Sequence, residues 1–364
     1  MLSIRYTAWH DGAATAEEQL ERLLKLFRVV LLKADMDVTE ALELIELLDE
    51  RYGVLGSMSM EDYIALLRAE GLLEERDGQL RPTAKTERLL RTDALDEIFR
   101  TLKKGELGNH DIPHNGEGSE PLPETRRFMF GDPINLIDPT ETLQNALIRD
   151  YTLDQFSLHE DDISVHETEH ATSCAAVLAI DISHSMVLYG EDRITPAKCV
   201  ALALVELITT KYPTDQLDVI IFGDEAQRIE RGLIPYISVG PFHTNTRDAL
   251  RLARQLLRRM RGANKQILLI TDGKPSAIFD DAGRLYKNPF GLDPRIVNKT
   301  LDEAVACRRD GITISTFMIA RDQYLRGFVE ELTRANRGRA FYSELDQLGK
   351  MLIVDYVRNR RMYR

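Results

Sequence analysis

The amino-acid sequence predicts an α/β protein: a mostly parallel sheet flanked by helices in the C-terminal half, preceded by a mainly helical N-terminal region. Three observations carry this. From Cys174 onward, continuous apolar runs (CAAVLAID, LDVIIFG, KQILLITDG, GITISTFMIA) alternate with helical patterns. Buried strands separated by helices mean a parallel sheet covered on both faces. Before that point, apolar residues recur instead at three- and four-residue spacings. Between the two halves, residues 105–125 have no periodicity at all.

In the N-terminal region, Leu20, Leu23, Leu24, Phe27 and Leu31 mark one helix. Leu42, Ile45 and Leu48 mark a second, with Thr39 as its expected N-cap. Met60 to Ala69 reads as a third, ending near Gly71. LLEERDGQLRPT then predicts two short strands around Asp77-Gly78, a strong hairpin signal. Thr83 is expected to cap a helix from Lys85 to Lys103. The order helix, hairpin, helix resembles the second half of a winged helix, so residues 1–104 form a winged-helix-like module. Winged helices often bind DNA, and charge decides against that here. Residues 35–105 hold seventeen Asp and Glu against ten Lys and Arg. The possible basic stripe, Arg81, Lys85, Arg88 and Arg91, is surrounded by Glu74, Glu75, Asp77 and Glu87. A phosphate-binding face needs clustered cations.

Residues 105–125, rich in Gly, Pro and polar side chains, are expected to be a linker or exposed loop. His110 and His114 stand there at a spacing that suits a metal only on a helix, which Pro113 and the glycines forbid. Residues 126–172 return to order and read as a bridge with one short helix, DPTETLQNALIRD, packed against the C-terminal domain. Residues 173–364 are that sheet domain, with RAFYS as a last strand, LDQLGKMLIVDYVRN as a last helix and a basic tail, RNRRMYR.

The net charge of −12 disfavours nucleic acid and anionic membrane as partners. No apolar run approaches a membrane span of about 18 residues. The start, MLSIRYTAWHDG, lacks the apolar core of a secretory signal. Cys174, Cys199 and Cys307, odd in number and widely spaced, argue against a disulfide framework and fit a reducing cytosol.

In open parallel sheets, ligands sit beyond the carboxyl ends of the strands, near a topological switch point. Oxygen-bearing side chains stand at those ends here. The first strand runs into Asp181-Ile182-Ser183-His184-Ser185, and QILLI runs into Thr271-Asp272-Gly273. A loop supplies His243-Thr244-Asn245-Thr246 just before a helix. Hydroxyls, carboxylates and water are hard ligands that suit Mg²⁺, or another hard divalent cation such as Mn²⁺ or Ca²⁺. Two carboxylates neutralise such an ion without trapping it, leaving a position for an acidic side chain from a partner. No base is positioned for attack on a substrate.

AIDISHSM resembles the D-x-S-x-S motif of von Willebrand factor A (vWA) domains, LLITDG their later Asp-Gly strand end, and HTNTRDAL their threonine loop. The resemblance spans about half the chain, in the right order. It implies a Rossmann-like fold carrying a metal-ion-dependent adhesion site (MIDAS). Ser183, Ser185 and Thr244 would bind the metal directly, and Asp181 and Asp272 would often act through water. The family often has Gly-Gly before the threonine, where this chain has Phe242-His243. The layout also resembles bacterial cytoplasmic vWA proteins that are paired with AAA+ ATPases related to the magnesium chelatase motor.

His166-Glu167-Thr168-Glu169-His170 matches the H-E-x-x-H of zinc proteases, but that chemistry needs a helix. Its β-branched surroundings predict a strand, where residues four apart lie about 13 Å from each other. No P-loop and no nucleophile elbow occurs. The expected function is therefore a non-enzymatic, metal-dependent protein-interaction adaptor, with a DNA-binding regulator and a hydrolase as alternatives. Residues 274–297 form a longer βα connection than the usual 2–6 residues or so. They are expected to overhang the metal site, with Tyr286 and Phe290 as candidate partner contacts.

Overall fold

The computed structural model describes residues 16–103, 120–128, 137–149, 158–169, 173–190, 192–261, 264–272, 274–280, 282–288, 290–319, 323–342 and 347–361. His110, His114, His170 and the end of the basic tail lie outside them. The chain forms two compact units, Met1–Leu107 with Cys174–Asn359, and Gly108–Ser173 with Arg360–Arg364.

The N-terminal region is helical, as its periodicity predicts. Helix α1 (Ala16–Lys33) and α2 (Val38–Tyr52) are joined by a tight turn at Asp35 and Met36, both with positive φ. The N-cap of α2 is Asp37, not Thr39: Asp37 Oδ1 accepts from the Thr39 and Glu40 backbone N–H groups at 2.8 and 3.2 Å. An aspartate two residues ahead competes better than a threonine, because its ionised oxygen accepts more strongly. Helix α3 (Met60–Ala69), the hairpin β1 (Leu73–Arg76) and β2 (Gln79–Pro82), and α4 (Ala84–Lys103) come next, in the expected order. The turn sits on Asp77 and Gly78, both at positive φ. Thr83 caps α4, its Oγ1 accepting from Thr86 N at 3.3 Å.

In the second unit, β3 (Glu120–Arg127) pairs antiparallel with β4 (Ser164–Glu169), with α5 (Pro139–Arg149) between them in sequence. The linker expected at 105–125 therefore ends earlier than its composition suggests, because its last six residues are strand. Pro121 and Pro123 obscured this. Proline cannot donate to a ladder, and the pairing shifts register between Pro121 and Thr125 to accommodate them. Residues 126–172, expected as a bridge, fall within this unit. The H-E-x-x-H sequence begins in β4, a strand as expected.

The C-terminal domain is a mostly parallel sheet flanked by helices. Its strands are β5 (Cys174–Asp181), β6 (Gln216–Phe222), β7 (Ala226–Ile229), β8 (Asn264–Thr271), β11 (Ile312–Met318) and β12 (Arg339–Tyr342). They lie in the order β12-β11-β8-β5-β6-β7, and only the edge strand β7 is antiparallel. All eight residues of β5 are buried. The helices are α6 (Ile194–Lys211), α7 (Thr246–Arg259), α8 (Pro294–Arg309), α9 (Gln323–Asn336) and α10 (Leu348–Arg361). Helix α6 is apolar nearly all round and thirteen of its residues are buried. A helix this apolar must be covered on most of its surface, and α4 packs against α6. That packing makes the helical region and the sheet domain one unit.

At this interface Lys198 of α6 is fully buried. Its ammonium donates to Leu32 O at 3.0 Å and Pro235 O at 3.2 Å and pairs with the Asp35 carboxylate. The Tyr236 hydroxyl donates to Glu87 at 2.8 Å, and Arg91 pairs with Glu206 at 3.5 Å.

Between β8 and α8 the long connection is ordered as a hairpin, β9 (Ala277–Phe279) with β10 (Leu285–Lys287). Helix α8 begins at Pro294, inside the stretch expected to be loop, because Asp293 caps it and Pro294 occupies its first turn.

Candidate metal centre

Strand β5 lies between β6 and β8, and in such sheets ligands sit beyond the carboxyl ends of the strands. The D-x-S-x-S segment at the end of β5 is held by backbone bonds. Ile182 N donates to Phe222 O (2.9 Å), Gly240 N to Ile182 O (3.2 Å) and His184 N to Phe242 O (3.1 Å). Asp181 and Ser183 are buried, as are Thr244 and Asp272 from the two neighbouring segments, and Ser185 is half-buried.

The three hydroxyls expected as ligands come together in space. Thr244 Oγ1 donates to Ser183 Oγ at 2.9 Å, and Ser183 Oγ lies 3.0 Å from Ser185 Oγ. Asp181 accepts from Ser183 N at 2.9 Å and, through its other oxygen, from Thr271 Oγ1 at 2.7 Å. Asp272 follows Thr271 at the end of β8. Burial, and then the neighbouring charge of Asp272, push the Asp181 carboxyl above the ordinary carboxylate range.

Thr244 is positioned from several sides. Its N–H donates to Ser276 Oγ at 3.0 Å, and its carbonyl accepts from Ser276 N and Ala277 N at 2.9 and 3.2 Å. Asn245 caps α7 by accepting from Asp248 N, and its amide donates to Asp224 O at 2.9 Å. In place of the Gly-Gly that often precedes the threonine in vWA domains, the Phe242 ring lies on the faces of Gly223 and Gly240. A Cβ on either glycine would stand within 2.6 or 2.1 Å of that side chain. The two glycines make room for the ring, and Thr244 still reaches Ser183. The His243 N–H donates to Asp224 at 2.8 Å, whose other oxygen accepts from Lys287 Nζ at 2.6 Å.

The donor set fits a hard divalent cation. Three hydroxyl oxygens form one continuous cluster, and two buried carboxylates repel each other beside it. Ser183, Ser185 and Thr244 would hold the ion, with Asp181 and Asp272 supplying compensating charge. Among the described residues there is no group of three or more His, Cys, Asp or Glu arranged to hold a metal. Hydroxyls carry most of this site.

Residues to which the sequence analysis gives no role support the candidate ligands. They are Thr271, Ser276, Phe242 and Arg193, whose guanidinium reaches both Ser185 O and Asp272. Thr271 could have been singled out as the neighbour of Asp272; the others are joined to the site only by the fold. Of the two aromatic candidates, Tyr286 is engaged: its hydroxyl donates to Asp293 at 2.9 Å and Arg295 lies over its ring at 4.9 Å. Phe290 is 85% exposed.

Residues 174–357 match the family model of the vWA domain of Rv0959-like proteins, and residues 120–168 match the third domain of the same proteins. The second match coincides with the span from β3 to β4. Similar full-length relatives are the Mycobacterium tuberculosis protein Rv0959 and the Mycobacterium bovis protein Mb0984. Each is 34% identical over 301 residues, covering 80% of this chain and 44% of the relative. The chain thus spans less than half the length of the curated relatives it matches. Three solved structures are similar at low identity. The vWF domain of the type V pili tip protein Mfa5 from Porphyromonas gingivalis shares 13% identity, over 53% of this chain and 98% of that one, with a TM-score of 0.43. The PilB minor pilin of Streptococcus sanguinis shares 15%, over 55% and 65%, at 0.44. Proximal thread matrix protein 1 of the mussel byssus, with a zinc-occupied MIDAS motif, shares 18%, over 52% and 46%, at 0.40.

Proposed function

This chain belongs to the Rv0959-like family of vWA-domain proteins, and from that premise we propose that it is a metal-dependent protein-interaction adaptor. The observation that carries the reading is the junction of Ser183, Ser185 and Thr244 hydroxyls within 3.0 Å, beside the buried Asp181 and Asp272. A hard cation bound there, Mg²⁺ above all, supplies a coordination position for an acidic side chain of a partner protein. The chain's own residues do the rest. The serines and the threonine orient oxygens toward one point, the aspartates balance charge, and the β9–β10 hairpin stands beside Thr244 as a rim. Phe290 is the exposed apolar group of that rim and Tyr286 anchors it.

The class of partner we favour is an AAA+ ATPase; the whole-chain layout is what supports this. We read the protein as non-enzymatic, with Asp181 and Asp272, the carboxylates beside the hydroxyl cluster, serving as charge balance for the cation and not as a base. We place it in the cytoplasm on the strength of its three free cysteines. Among the described residues no helix is long and apolar enough to cross a membrane. The winged-helix-like module is proposed to contact protein and not DNA. Of its candidate basic stripe, Lys85 is paired with Glu70 and Arg91 with Glu206.

The test is direct binding of Mg²⁺ or Mn²⁺ by calorimetry to the full chain, to Ser183→Ala and to Thr244→Ala. Saturable one-site binding that both substitutions weaken at least tenfold supports the reading. Absence of binding by the folded wild-type chain at millimolar cation defeats it.

A further inference from the structure

Arg193 is the residue before α6, and it is built into the wall of the hydroxyl and carboxylate cluster. Its side chain is only 12% exposed. Nη1 donates to the Ser185 carbonyl at 3.4 Å and lies 3.9 Å from Asp272 Oδ2. The Arg193 N–H donates to Met186 O at 3.0 Å, which fixes the residue against the same loop. A guanidinium keeps its charge at every pH of interest. A permanent cation therefore shares one of the two carboxylates that a divalent ion would need. Two like charges a few ångströms apart in a half-buried site repel strongly, because water screens them poorly.

We infer that Arg193 is the affinity-setting residue of this centre: its fixed charge competes with the metal for Asp272 and keeps the cation exchangeable. The inference rests on the metal-dependent reading of the site. Arg193 is a positioning residue as well, since it ties the Ser185 backbone to the end of β8, and the two roles pull in opposite directions. Loss of the tether alone would loosen Ser185 and weaken metal binding. Loss of the charge alone would strengthen it. The full positive charge stands beside an already-placed carboxylate, whereas the loop that carries Ser185 is also held by the His184 N–Phe242 O and Met186 N–Ser183 O bonds on either side of it. The charge effect wins.

The experiment measures Mn²⁺ affinity by electron paramagnetic resonance of the free ion, and Mg²⁺ affinity by calorimetry, on the full chain. The variants are Arg193→Gln, which keeps an N–H donor without the charge, and Arg193→Lys, which keeps the charge. Arg193→Met replaces the first if circular dichroism shows it unfolded. The expected result is about tenfold tighter binding in the neutral variant and little change in Arg193→Lys. The gain should vanish when Asp272→Asn is added, since the competition is for that carboxylate. Wild-type binding with equal or weaker binding by the neutral variant overturns the inference and leaves the metal reading standing. Binding by the neutral variant alone supports both. Binding by neither folded protein removes both.

Discussion

The Thr244 hydroxyl donates to the Ser183 hydroxyl across 2.9 Å, although sixty-one positions separate them in the chain. The contact joins the loop before α7 to the loop after β5 with no intervening side chain. Either partner alone is an ordinary small polar residue; the pair defines a point toward which oxygens converge.

Removing one oxygen from that point tests whether it binds or merely packs. Thr244→Ala is expected to leave circular dichroism unchanged and stability within about 1.5 kcal/mol, the usual size of one neutral hydrogen bond. Cation affinity is expected to fall at least tenfold. Denaturant titration with and without Mg²⁺ reads both: the wild type gains stability from the ion by mass action and the variant does not.

Asp181→Asn keeps an acceptor for the Ser183 N–H and removes a buried negative charge next to Asp272. With chelator present the variant is expected to be at least as stable as the wild type, because like charges buried together oppose folding. Mg²⁺ should no longer raise its Tm. A large loss of Tm in chelator would show that Asp181 is structural, and would count against the metal centre.

The placement of Phe242 gives a paired test. Gly240→Ala puts a methyl within 2.1 Å of the ring, so the ring must move. It is expected to cost about 1–3 kcal/mol, as overpacking does, and to weaken cation binding by displacing Thr244, two residues beyond Phe242. Adding Phe242→Ala should restore much of the affinity by vacating the space. If Gly240→Ala leaves cation binding unchanged, the ring does not govern the pose of Thr244.

Lys198 holds the helical region to the sheet domain from inside. Lys198→Met is expected to destabilise the chain by about 1–3 kcal/mol, since it strands the Leu32 and Pro235 carbonyls. Urea unfolding monitored by probes in each region should show one transition in the wild type. Two separate transitions in the wild type would mean that α4 and α6 do not unite the regions energetically.

Phe290→Ala should leave stability and cation affinity unchanged, because the ring is exposed. Binding to the natural partner, measured by surface plasmon resonance with Mg²⁺ present, is expected to weaken about tenfold or more, as for an aromatic anchor. Unchanged binding would move the recognition surface away from the hairpin.

Much of the protein was legible in one dimension because its signals are local. Strand β5 is an unbroken apolar run closed by Asp181, Asp77-Gly78 forces a turn, and D-x-S-x-S stands where a buried strand meets a polar loop. These depend on burial, backbone sterics and donor chemistry within a few residues. The antiparallel β7 was not foreseen, because four residues of mixed polarity at an edge carry no apolar run. Strand β3 was hidden by prolines that only its shifted pairing with β4 could absorb. The 274–297 connection ends early, at Pro294, where the Asp293 cap starts α8, and its hairpin is bonded both to itself and to Thr244.

The sequence by itself determined the fold class of the C-terminal half and the identities of the five oxygen-bearing residues at its strand ends, since these come from hydrophobic patterning and hard-ligand chemistry. Tertiary structure alone decided that Arg193 stands against Asp272, that Phe242 fills the space above two glycines, and that the largely apolar α6 unites the sheet with the helical region through Lys198. Each of these is a contact between segments distant in sequence. Its energy depends on distance and burial, which only the folded chain defines.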